Sequence, residues 1–210
     1  VEVELLAITE DAEALIERAG RTCYDTAARA GADTAASFIQ MLIRRGHLSV
    51  LEHAGATFRI RGVSRALSHQ LVRHRLASFS QRSQRYVKED GFAYVTPPAL
   101  EGDDDARRVF EETMETCRRA YGELLDAGVR PEDARFVLPN AAATEVVMTA
   151  NFREWRHVLA LRGDRAAQWE IRRVAVAICR ELRKHAPAAF ADFELDEENN
   201  IITLKNREGS

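Results

Sequence analysis

Thiols are scarce and scattered in this chain. Three cysteines, Cys23, Cys117 and Cys179, stand among 210 residues. They are odd in number, far apart and without a CxxC pair, which argues against a disulfide framework and against a thiolate zinc site. Cys117 in "METCRRAY" and Cys179 in "AVAICREL" fall on apolar faces of helical patterns and read as small buried hydrophobes. No apolar run approaches the roughly 18 residues of a membrane span. The N-terminal "VEVELLAITEDAEALIERAG" is too acidic for a signal peptide, so a cytoplasmic protein without a membrane anchor is expected. A strand followed by GxGxxG is missing, and so is GxxxxGK followed by Ser or Thr, which leaves no Rossmann or P-loop nucleotide site. Internal repeats and low-complexity segments are also absent.

Apolar residues make up 46% of the chain and charged residues 30%, the balance of a globular protein long enough to bury a real core as one domain. The formal net charge of −3 disfavours a protein that coats nucleic acid broadly. The charge is nevertheless uneven. From His53 to Lys88 there are seven arginines and one lysine and no acidic residue. Such a concentration in a mildly acidic chain points to a local anion site.

Patterning along the chain predicts an α+β domain. "VEVELLAI" reads as a strand, followed by a helix capped by Thr9 and stopped by Gly20. "DTAASFIQMLIRRG" carries an apolar stripe of Ala35, Phe38, Ile39, Leu42 and Ile43 ended by Gly46. "ATFRIRGV" alternates as a half-solvated strand does, and Ser64 is positioned to cap a helix that reaches Arg73, His74 and Arg75 before a loop. "FAYVTPP" suggests a short strand closed by prolines. A long helix is expected over about 103–127, before Gly128, and a short one opens at Pro131 and stops before Pro139. "TEVVMTAN" is a strand, Asn151 caps the next helix, Asp164 the one after, and "NNIITLKN" is a last strand or a tail. Long helices without regular βαβ alternation predict an antiparallel sheet packed with helices.

The chemistry-bearing residues cluster. Ser78, Ser80, Gln81, Ser83, Gln84 and Arg85 offer hydroxyl, amide and guanidinium donors suited to a phosphate and its sugar. Arg73, His74 and Arg75, fanned around a helix, cannot all face one ligand from one chain; a helix lying between two partners could use all three. His47, His53, His69 and His74 fall close together, but their spacing does not match HExxH and only Glu52 lies nearby as a carboxylate, so no metal is expected. Ser83 has no partner base at a fixed spacing, and a bare hydroxyl is a weak nucleophile, so its expected role is to orient a ligand. Downstream, Arg135 precedes a helix-ending proline, and Asn151, Arg153, His157 and Arg162 share one short element, with positions 153 and 157 on one face.

The segment "RHRLASFSQRS" fits the signature of the flavin-dependent thymidylate synthases, an Arg-His-Arg followed after seven residues by Ser, with Arg73, His74, Arg75 and Ser83 in its places. "GHLSVLEHAGATFRI", "ARFVLPN" and "NFREWRHVLALRGDRAAQWEIR" also resemble that family, so the likeness runs from about 21 to 193. The resemblance implies a homotetramer of α+β subunits holding FAD, each active site assembled from several chains. It implies methylation of dUMP to dTMP with 5,10-methylenetetrahydrofolate as carbon donor and NADPH as reductant, without nucleic acid or membrane as partner. By position, His47, Ser49, Arg73, His74, Arg75, Gln81, Asn151, Arg153 and His157 are the implied flavin contacts. Gln70, Leu71, Val72, Arg73, Gln81, Arg82, Ser83, Gln84, Arg85 and Arg135 are the implied dUMP contacts, together with Arg162 as the activating residue. Gln81 and His157 stand where some family members carry Glu and Asn.

Overall fold

A computed structural model describes residues 1–205 apart from Tyr24, Ala27, Arg29, Ala32 and Asp33. The strands are β1 (Glu2–Ile8), β2 (Gly55–Ser64), β3 (Ala77–Gln81), β4 (Ala143–Asn151), β5 (Phe193–Asp196) and β6 (Ile201–Leu204). The helices are α1 (Ala12–Thr22), α2 (Ala35–Arg44), α3 (Arg65–Leu71), α4 (Asp104–Asp126), α5 (Pro131–Ala134), α6 (Phe152–Arg162) and α7 (Trp169–His185). The first four strands form one sheet in the order β1-β2-β4-β3, and β5 pairs antiparallel with β6, Phe193 opposite Leu204. This is the mixed helix and antiparallel-sheet composition that the patterning predicts. No described helix is long and apolar enough to cross a membrane.

The chain divides into two compact units, each discontinuous in sequence: residues 1–60, 72–79 and 147–210, and residues 61–71 and 80–146. In the first, Phe58 and Ile60 of β2 are fully buried, and so are Phe152, Trp155 and Leu159 of α6 and Ile178, Cys179 and Leu182 of α7. Their spacing of two along the strand and three or four along the helices follows the apolar stripes of the sequence. Trp155 meets Phe58 edge-on with ring centres 5.2 Å apart and donates its indole N–H to the Ala56 carbonyl at 3.0 Å, which fixes α6 on the strand. In the second unit α4 buries Met114 and Tyr121, and the Tyr121 hydroxyl accepts the Glu89 N–H at 3.2 Å. Val109, expected on the apolar stripe of this helix, is 57% exposed.

Several caps match the expectation. Ser64 Oγ accepts the Leu67 N–H at 3.0 Å and Asn151 Oδ1 accepts the Glu154 N–H at 2.9 Å. Gly46 and Gly128 end their helices at φ of 75° and 81°, a conformation that a side chain disfavours.

Other expectations are corrected. Thr9 does not cap α1; its hydroxyl accepts the Gly55 N–H at 2.9 Å, and Asp11 takes the cap position without a side-chain bond. Gly20 does not stop that helix but lies within it, where a Cβ would come 2.7 Å from the Phe38 ring. "FAYVTPP" makes only an isolated bridge, Tyr94 to Ala142, because the prolines cannot extend a ladder. Asp164 accepts the Ala166 N–H in a turn, and the cap of α7 is Gln168, whose Oε1 accepts from Glu170 and Ile171. The helix after Ser64 ends at Leu71, so Arg73, His74 and Arg75 lie in the turn before β3 rather than on a helix, and Ser78, Ser80 and Gln81 lie on that strand rather than in a loop.

Candidate active site

In the first unit, the turn between α3 and β3 faces α6. Leu71, at 1% exposure, anchors the end of α3, and the chain then turns so that His74 points inward, 4% exposed, while Arg73 and Arg75 stay in solvent. On the other side the Asn151 cap, the Trp155 anchor and the helical repeat set Glu154, His157 and Arg162 of α6. Together these residues line an open cleft of about 830 Å³ with Leu48, Ala160, Leu161, Phe193 and Leu204 as apolar wall. Six of the nine positions implied for flavin line it: Arg73, His74, Arg75, Asn151, Arg153 and His157. Arg162 lines it too. Arg75 and Asn151 also face a second, shallower cleft of about 440 Å³ beside β2 and β3. His47 and Ser49 are exposed next to Leu48 but line neither cleft, and Gln81 belongs to the second unit.

His74 is the centre of the polar network. Its Nε2 accepts the Nε–H of Arg162 at 3.0 Å, its Nδ1 stands 3.4 Å from Glu154 Oε1, and its ring meets the His157 ring at 5.4 Å between centres. Burial, and after it the electrostatic influence of Arg162 and then His157, push its pKa down from 6.5 to about 4. The imidazole is therefore neutral at pH 7, as its role as acceptor requires. Burial also lowers the pKa of Arg162, which keeps its charge nonetheless. Arg153 pairs with Glu52 at 2.5 Å, and Arg156, buried, grips Asp192 with two nitrogens at 2.6 and 2.5 Å.

The positions implied for dUMP lie mostly in the second unit. Gln81 donates to Ser68 Oγ at 2.9 Å and Thr144 Oγ1 at 3.3 Å, and Gln70 to the Ala66 carbonyl at 3.3 Å. Leu71 is core, so only its backbone is available to a ligand; Val72 is half-exposed in the first unit. Ser83 Oγ accepts the Arg85 N–H at 3.2 Å in a turn that also holds Gln84. The arginines here are not uncompensated, as the run from 53 to 88 suggests. Arg82 reaches buried Glu89 at 3.4 Å, Arg85 reaches Glu132 at 3.4 Å, and Arg135 donates to the Glu132 carbonyl at 3.0 Å. Burial raises the Glu89 carboxyl pKa against the opposing pull of Arg82 and Arg65. These acids come from outside the basic run.

Among the described residues, Arg73 and Arg75 have no acidic partner within ion-pair distance. Sequence reasoning missed Glu154 and Arg156 as cleft residues. For Glu154 the spacing Asn151-x-x-Glu marks a helix start, which draws attention to capping rather than to a site.

Comparison with known proteins matches residues 4–188 to the family model described as thymidylate synthase complementing protein. The chain is 46% identical over 200 residues to the flavin-dependent thymidylate synthase of Geobacter sulfurreducens, covering 91% of this chain and 86% of the relative. It is 44% identical over 207 residues to proteins of the same name from Mycobacterium sp. (strain JLS) and Mycobacterium tuberculosis, covering 89% of this chain and 82% and 83% of theirs.

Proposed function

The chain belongs to the thymidylate synthase complementing protein family, with flavin-dependent thymidylate synthases as its relatives, and we propose that it makes dTMP by reductive methylation of dUMP. FAD is the resident cofactor, 5,10-methylenetetrahydrofolate the carbon donor and NADPH the reductant. The observation that carries the reading is the cleft in which Arg73, His74, Arg75, Asn151, Arg153, His157 and Arg162 converge although they are up to 89 positions apart in sequence.

The donor set fits FAD. Arg73 and Arg75 are exposed cations at the rim, suited to a pyrophosphate. Leu161, Phe193 and Leu204 give an apolar wall for a flat ring, and Asn151 and His157 add polar groups that can orient it. When bound, the flavin supplies hydride exchange between reductant and the uracil carbon chemistry.

This chain's own residues bind and polarise. Arg162, held through its Nε by neutral His74, presents a preorganised cation to the pyrimidine N3 and O2, where negative charge develops as C6 accepts hydride. Such a group contributes about 3 kcal/mol, or roughly a hundredfold in rate. Arg82, Arg85 and Arg135 take the nucleotide phosphate, exchanging their contacts with Glu89 and Glu132 for it, while Ser83 orients the nucleotide. Cys179 is no nucleophile for the uracil: it is buried and its thiol pKa is pushed up to about 12, far from a reactive thiolate, while Cys117, expected to be buried, is half-buried on α4. The whole chain serves as one synthase domain, and four chains assemble so that several contribute to each active site.

The test is spectroscopic and then kinetic. After incubation with FAD and desalting, the protein retains a flavin band near about 450 nm that NADPH bleaches without oxygen in the presence of dUMP. Adding methylenetetrahydrofolate then yields dTMP. Arg162→Ala keeps the flavin band and loses about a hundredfold in kcat; near-normal turnover in that variant removes Arg162 from the mechanism. A protein that retains no flavin under any loading condition overturns the reading.

A further inference from the structure

Glu154 has no part in the reading above, yet it is a carboxylate with 5% exposure in the first turn of α6. Taking a carboxylate out of water is costly unless its charge is met. Three residues after the Asn151 cap, it has the position from which a capping-box side chain reaches back to the cap's backbone. Instead its Oε1 faces His74 Nδ1 at 3.4 Å. The other nitrogen of the same ring accepts from Arg162 at 3.0 Å. Arginine only donates, so that bond needs the lone pair on Nε2, and in a neutral imidazole the proton then sits on Nδ1, the side facing Glu154. The hydrogen bond to Arg162 thus sets the donor direction on one side of the ring and turns its Nδ1–H side to the Glu154 carboxylate.

We propose that Glu154 is a positioning residue that holds His74 in its Nδ1–H tautomer and, through His74, sets the orientation of the Arg162 guanidinium in the cleft. Because His74 engages Nε, the nitrogen next to the stem, the guanidinium is restrained while its terminal nitrogens take no part in that bond. The inference rests on the role given to Arg162 in the thymidylate synthase reading.

A different use of the same side chains is metal binding, since one donor atom each of His74, Glu154 and His157 lies within 4.8 Å of the others. The surroundings disfavour it. Arg162 already occupies one imidazole nitrogen, and its positive charge beside the ring opposes a divalent cation there.

Histidine-selective ¹⁵N labelling and long-range ¹H–¹⁵N correlation, read on the protein without flavin or nucleotide, give the tautomer directly; His74→Gln identifies the signal. Wild type and Glu154→Gln, whose amide oxygen still accepts, are expected as Nδ1–H. Glu154→Leu is expected to move to a mixture containing Nε2–H and to lose about tenfold or more in kcat at nearly unchanged KM for dUMP, with Glu154→Gln recovering most of the loss. If the leucine variant does not fold, Glu154→Asp withdraws the carboxylate by one methylene and carries the same expectation. An unmixed Nδ1–H tautomer together with wild-type kcat in the altered proteins overturns the proposal. So does a stoichiometric tetrahedral Co²⁺ spectrum in wild type that Glu154→Gln abolishes. Failure of wild type to retain FAD, by contrast, sinks the synthase reading and leaves the tautomer result standing.

Discussion

The Arg73-His74-Arg75 signature is legible as residue types, but the roles of its three members separate only in the structure. Two stay in solvent and one is buried, since a turn rather than a helix carries them. No periodicity announces that turn; it follows from where Leu71 is anchored and where β3 begins. Burying His74 has a thermodynamic consequence. Its pKa of about 4 in the folded protein lies below the ordinary 6.5, so the unfolded chain takes up the proton first as pH falls. The stabilisation is complete above pH 6.5, is lost progressively between 6.5 and about 4, and amounts to about 3 kcal/mol. Burial sets most of its size, and Arg162 and then His157 add to it; Glu154 also faces the ring. Urea unfolding at pH 7 and pH 4.5 is expected to show a smaller stability drop for His74→Gln than for wild type. Equal drops dismiss His74 as the titrating group.

Among the elements, those with a strong period form where the sequence indicates: β2, α4, β4 and α7 follow their apolar spacing, apart from exposed Val109 on α4 and the later start of α7 at Trp169. The misplaced signals are single-residue caps and stops. Thr9, Gly20 and Asp164 each carry the right chemistry for a helix terminus, but tertiary partners claim them, Gly55 for the first and the Phe38 ring for the second, while Asp164 closes a turn. Strand β5 carries no alternation long enough to stand out and is defined by its pairing with β6. Asn151 is the cap that both sequence and structure assign, and it also lines the cleft, so its two roles need separating. Asn151→Ala is expected to cost about 1 kcal/mol, a melting-point drop of roughly 2–4 °C. Asn151→Asp keeps the capping oxygen and the favourable charge at a helix start, so its melting point stays near wild type. If both variants retain FAD as wild type does, Asn151 acts only as a cap. An aspartate variant that melts like the alanine one removes the capping explanation.

Across the whole molecule, the division into two units was not readable, because it falls inside β2, between Ile60 and Arg61, and inside β4, between Val146 and Val147, where the strand patterns run on without a break. Nor did the basic run reveal its counter-charges, which lie beyond it at Glu89 and Glu132. What the surface does offer is exposed apolar area: Leu76, Tyr86 and Phe136 are 78%, 80% and 83% exposed. Single exposed apolar residues are ordinary, but three large ones this bare, each directly following an arginine implied for flavin or dUMP, support an assembly in which neighbouring chains cover them. Phe136 is the sharpest probe, since it lines none of the clefts described and a closed two-fold contact uses it twice. Covering a phenylalanine side chain is worth about 1.5–3 kcal/mol, so Phe136→Glu is expected to weaken each such contact by about 3 kcal/mol or more, over about a hundredfold in dissociation constant. Sedimentation velocity at micromolar concentration is expected to show the wild type at the mass of four chains and the variant shifted towards one or two. A wild type that sediments as one chain rejects the tetramer, and a variant still at the mass of four places Phe136 outside the contact.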